Sequence, residues 1–94
     1  MTIALSPQAR QDLRQLYQQI AQDNPEAADR VLARTVEVIG MLASGGVEGR
    51  EVHLADGRQV RTWPVPPYRI YYRKTAEVFQ VVRVYHQARR SIER

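Results

Sequence analysis

Apolar positions along the chain recur with two different periods, and the change of period divides it into halves. Thr2-Ile3-Ala4-Leu5 is a short strand candidate, and Ser6-Pro7 has the form of a helix start. A serine oxygen accepts a bond from an orphan backbone N–H, and proline suits the first helical position because its missing donor is not needed there. Ala9, Leu13, Leu16, Tyr17 and Ile20 then fall on one helical stripe. Asp23-Asn24-Pro25 breaks the pattern and restarts it, with Asn24 as the next cap. Ala28, Val31, Leu32, Thr35, Ile39 and Leu42 form a second stripe, which Val36 and Val38 widen. The connection is short, so the two helices are expected as antiparallel neighbours. Gly45-Gly46 supplies the left-handed conformation that ends a helix.

Beyond residue 57 the period shortens to that of strands. Arg58–Val65 follows Asp56-Gly57 as one strand, Pro66-Pro67 turns the chain, and Tyr68–Arg73 is a second strand rich in aromatics. Thr75-Ala76-Glu77 closes a hairpin into Val78–Tyr85, which is apolar on both faces for most of its length and is therefore expected at the centre of the sheet. Gln87–Arg94 is a polar tail with room for a helical turn. The expected fold is α+β: a helical hairpin packed on one face of a small, mainly antiparallel sheet of three strands. The other face is open or covered by a partner. Ninety-four residues make one domain, spanning 1–94.

Composition narrows the chemistry. Cysteine is absent, and His53 and His86 are the only histidines, so no disulfide, thiolate metal site or His-only zinc site is expected, and no cofactor. No apolar run approaches the ~18 residues of a membrane span, and the start lacks a signal peptide's pattern. A soluble, cytoplasmic protein is expected. The net charge is +4. Residues 1–47 carry four Arg against five acids, and residues 48–94 carry nine Arg and Lys74 against five acids, so the positive field belongs to the second half. Such a half suits an anionic partner, either nucleic acid or an acidic protein; an Arg-rich base composition is the plainer explanation. Arg61, Arg69, Arg73 and Arg83 all project from the predicted strands, and some must line the open face, because a small core cannot hold so many guanidinium groups. With Trp63, Tyr71 and Tyr85 interleaved, such a face would combine charge with stacking. One acid–base set is available. Glu51 as base, Arg69 as phosphate clamp and His86 as acid would suffice for RNA transesterification. Those residue types occur in almost any chain, and a solvated arginine or satisfied histidine is the ordinary role of each.

Four segments, in order and at matching spacing, resemble the RelE/ParE superfamily of toxins from type II toxin–antitoxin modules. They are Leu5–Leu13 with its Asp12-Leu13 pair, Asn24-Pro25-Glu26-Ala27-Ala28, Trp63-Pro64-Val65 with Tyr68–Arg73, and Val82–Arg90. The resemblance covers nearly the whole chain, and the ending Tyr85-His86-Gln87-Ala88-Arg89 is closest to the ParE branch. It implies a β-α-α-β-β-β order and a partly disordered, ParD-like antitoxin partner. It also implies a higher-order toxin–antitoxin complex, growth arrest and plasmid stabilisation, with DNA gyrase as target and no catalytic residues. The functional surface it implies comprises Arg61, Trp63, Arg69, Arg73, Arg83, Tyr85, His86, Arg89 and Arg90. The alternative branch, of RelE or YoeB type, cuts messenger RNA on the ribosome as a metal-independent endoribonuclease, which here would use Glu51, Arg69 and His86. RelE relies on several lysines and a late tyrosine; Lys74 is the only lysine here and no tyrosine follows Tyr85. A third alternative is a non-toxic protein-binding module.

Overall fold

The computed structural model describes residues 1–89 and 91–93. The elements in chain order are β1 (Thr2–Leu5), α1 (Pro7–Asp23), α2 (Pro25–Ala43), β2 (Arg50–His53), β3 (Gln59–Val65), β4 (Tyr68–Lys74) and β5 (Val78–His86). Both helix starts follow from the predicted caps. The Ser6 oxygen accepts from the Ala9 N–H at 2.9 Å, and the Asn24 side chain accepts from the Ala27 N–H at 3.1 Å. Proline follows each cap. Gly45, at φ 83°, takes the left-handed conformation just beyond α2. A hydrogen bond from the Tyr17 hydroxyl to Asp29 links α1 to α2 at 2.7 Å.

The sheet has five strands in the order β1-β5-β4-β3-β2. The last four form an antiparallel meander, while β1 pairs parallel to β5, Thr2 opposite Val78 and Leu5 opposite Val81. The α+β class and the helical hairpin on a mainly antiparallel sheet are as expected. Two strands enlarge the predicted three-stranded sheet. β1 joins its far edge, and β2, a four-residue segment with one buried position, forms the other. β5 is internal, as its two-sided apolarity implied, although β4 occupies the middle. The register of β5 on β4 shifts between Tyr71 and Tyr72, where Arg83 and Val81 are the successive partners. That irregularity lets Val81 and Val84, three residues apart, both face the helices, while Val82 is buried on the opposite face.

Two cores result. The larger lies between the helices and the sheet, where Ala9, Leu16, Val38 and Leu42 meet Ile70, Tyr72, Phe79 and Val81. Within it the Tyr72 and Phe79 rings stack, with centroids 4.7 Å apart. Val38 belongs to this core as expected, whereas Val36 is 61% exposed and does not widen the packed stripe. The smaller core is on the other face: Val52, Leu54, Val60, Tyr71 and Val82, with Tyr85 and Ile92 against them. The predicted open face is thus partly covered by the chain itself. The tail makes no helix through residues 91–93. It returns across the sheet and forms an antiparallel bridge between Leu54 and Glu93.

Candidate functional site

Strand alternation decides which arginines share a face. On β4, Tyr68, Ile70 and Tyr72 point to the helices, so Arg69 and Tyr71 point away. Tyr85 lies opposite Arg69 in register, and Thr62 of β3 is on the same side. These residues and the end of β5 frame a cavity of about 290 Å³, lined among others by Arg69, Tyr71, Tyr85, His86, Arg89 and Glu93.

Arg69 is held from behind. Its Nε donates to Thr62 Oγ1 at 3.1 Å, and that buried hydroxyl donates to the Ile70 carbonyl at 2.9 Å. The rest of the guanidinium is left for the cavity, and among the described residues no carboxylate pairs with it. Among the described residues, the Arg89 guanidinium reaches the Gln19 side-chain oxygen of α1, at 3.5 Å. The His86 ring meets Tyr68 edge-on at 5.0 Å, and its Nδ1 accepts from the Ala88 N–H at 3.0 Å. The neutral ring therefore carries its proton on Nε2. Tyr71 donates its hydroxyl to Glu93 at 2.8 Å. Burial, then the Glu93 carboxylate, push this phenol up to about 12.

The other predicted surface residues have different surroundings. Arg83 makes a two-pronged pair with Asp12 of α1, from Nε at 2.8 Å and Nη2 at 3.1 Å, and lies over the Tyr85 ring at 5.3 Å. The hydrogen bonds to Asp12 hold this guanidinium above its ordinary value. Asp12 Oδ2 also accepts from the Val84 N–H at 3.0 Å, on the edge of β5 beyond the end of β1. Arg83 therefore joins helix to sheet. Arg61 donates to the Gly49 carbonyl at 2.7 Å and pairs with Glu48 and Glu51 at 3.1 and 3.4 Å. Trp63 packs in the helix-side core, so it does not interleave with Arg69, Tyr71 and Tyr85. Arg73 lines a separate, wide trough with Glu48, Glu51, Arg61 and Lys74. Arg90 lies outside the described residues.

The structure brings Arg69 and His86 to one cavity but does not bring Glu51 to them. Glu51 faces Arg61 across the β2–β3 pair, and Arg61 alternates with buried Val60 of the open-face core. Glu51 is thus on the opposite side of the sheet from Arg69. The sequence reading missed Thr62, Arg50 and Glu93. No signal marked Glu93, the one acid in a polar tail, as a residue that returns to the sheet.

The family model described as "ParE toxin of type II toxin-antitoxin system, parDE" matches residues 3–91. A solved structure, described as the chromosomal ParDE TA system from P. aeruginosa, superposes with a TM-score of 0.72 at 22% identity. The match covers 92% of this chain and 95% of that one, which shows a common fold. The search of curated proteins found no match. Among the described residues, no helix is long and apolar enough to cross a membrane. With all but five residues of the sequence matched, the chain belongs to the ParE toxin family of type II toxin–antitoxin systems.

Proposed function

We propose that the chain arrests growth by inhibiting DNA gyrase in the cytoplasm, and that a cognate antitoxin neutralises it in a higher-order complex. The family match over residues 3–91 carries this reading. The geometry adds support against the nuclease alternative. A base, a phosphate clamp and an acid must converge within hydrogen-bond reach of one phosphodiester. Glu51 is on the other face from Arg69 and is engaged by Arg61. A toxin that acts by binding needs no such convergence. It needs a surface, and the basic open face around Arg69 and Arg89 is one that an acidic protein segment complements.

The deciding experiment is a supercoiling assay with purified gyrase. Saturating toxin is expected to block supercoiling, and the antitoxin to restore it. Glu51→Gln is expected to leave toxicity unchanged. Unaffected supercoiling, together with defined cuts in translated messages that His86→Ala and Arg69→Ala abolish, would replace this reading with the ribosome-dependent nuclease. Absence of growth arrest on expression without antitoxin would leave a non-toxic binding module.

A further inference from the structure

The tail is seated on the open face by few contacts, and their pattern describes what else fits there. The Ile92 carbonyl accepts from the Ala55 N–H at 2.7 Å. The Ile92 side chain packs against the core of Val52, Leu54, Val60, Tyr71 and Val82. The Glu93 carboxylate accepts from Tyr71 at 2.8 Å and from Arg50 at 3.4 Å. One bridge, one apolar side chain and one carboxylate thus hold the strap. Arg69 and Arg89 line the same cavity as Glu93, and among the described residues neither pairs with a carboxylate. The strap neutralises part of a larger positive field and covers the small apolar core of this face with one side chain.

We propose that the strap of residues 91–93 is a placeholder, and that the groove beneath it binds an extended, alternating apolar–acidic segment of a partner protein that displaces it. The segment's apolar side chain takes the Ile92 position, and its carboxylates reach Arg50, Arg69 and Arg89. A longer acidic strand meets three guanidinium groups where Glu93 meets one. That complementarity selects an acidic polypeptide as the occupant. In the proposed function this partner is the antitoxin, and the inference rests on that reading for the partner's identity alone. The groove and its chemistry are tested without antitoxin or gyrase.

The probe is a fluorescently labelled synthetic peptide of alternating Ile and Glu, titrated into the full chain and followed by anisotropy. Loosening the strap with Ile92→Ala and Glu93→Gln is expected to tighten binding. If the strap is seated about nine times in ten, the gain is about tenfold. Arg69→Glu is expected to weaken binding by at least about tenfold. In the unaltered chain, Ile92 methyl resonances are expected to move to free-peptide positions at saturation, a measurement that needs no substitution. Unchanged Ile92 resonances at saturating peptide overturn the proposal, as does affinity indifferent to the strap substitutions in a variant that still melts cooperatively. Tighter, strap-dependent binding of a single-stranded oligonucleotide than of the peptide overturns the assignment to a protein segment.

Discussion

Replacing Asp12 by Ala should be among the most damaging single changes outside the apolar core. Asp12 accepts three hydrogen bonds: two from Arg83, at 2.8 and 3.1 Å, and one from the Val84 N–H at 3.0 Å. The two side chains are 21% and 11% exposed, so water only partly replaces what is lost. Breaking a buried pair from one side costs about 3–5 kcal/mol, because the surviving charge is left unpaired. Allowing for the residual exposure of Arg83, the expected loss is about 3 kcal/mol. For a domain of this size that lowers the melting temperature by about 12–24 °C. Asp12→Asn keeps one oxygen acceptor and should lose about half as much. Urea unfolding of D12A, R83A and the double variant gives the coupling directly, expected at about 1–2 kcal/mol. A loss below about 1 kcal/mol for D12A, or zero coupling, would refute the claim that this pair fastens α1 to β5.

Ser6 both caps α1 and donates to the Val82 carbonyl at 2.7 Å, so Ser6→Ala should cost about 2 kcal/mol in urea unfolding, against a few tenths for an ordinary surface serine. A methyl group on Gly49 would sit inside the van der Waals surface of the Thr62 carbonyl. Gly49→Ala should therefore lose about 3 kcal/mol or more, and a melting temperature within about 2 °C of the parent would show that the β2 approach yields freely. The Tyr71 phenol is raised from 10.0 to about 12, so its neutral form is favoured in the fold. Its contribution is complete below pH 10 and is lost as pH rises toward 12, by up to about 2–3 kcal/mol, because there the unfolded chain has released a proton that the folded one retains. Tyr71→Phe should remove that part of the alkaline slope, and an unchanged slope would count against the Tyr71–Glu93 bond.

The helical half was legible because its signals are local. Ser6-Pro7 and Asn24-Pro25 form their caps with neighbours three residues away, and the stripes are set by one period. The long strands were legible for the same reason. β2 was not, because Arg50-Glu51-Val52-His53 buries one side chain and shows no alternation. Face assignment failed at Trp63, which the local pattern grouped with Tyr71 and Tyr85, because one residue of register decides the side and Trp63 pairs with Ile70 of the helix-side core rather than with Tyr71. The candidate site depends on such long-range facts. Arg69 and His86 meet through strand pairing, and Glu93 reaches Tyr71 through a tail whose one large apolar residue is Ile92.

The parallel pairing of β1 with β5 also sets when the molecule can exist. Thr2 donates to the Glu77 carbonyl, and Ser6 reaches Val82, 76 residues away. Synthesis delivers β1 before every other element described and β5, its partner in the sheet, after all of them. Until β5 has been made, the helical hairpin lacks the sheet that covers its apolar stripe, and β1 has nothing to pair with. The domain is thus incomplete until its last strand has been made. Its finished surface appears at once, when β5 docks between β1 and β4.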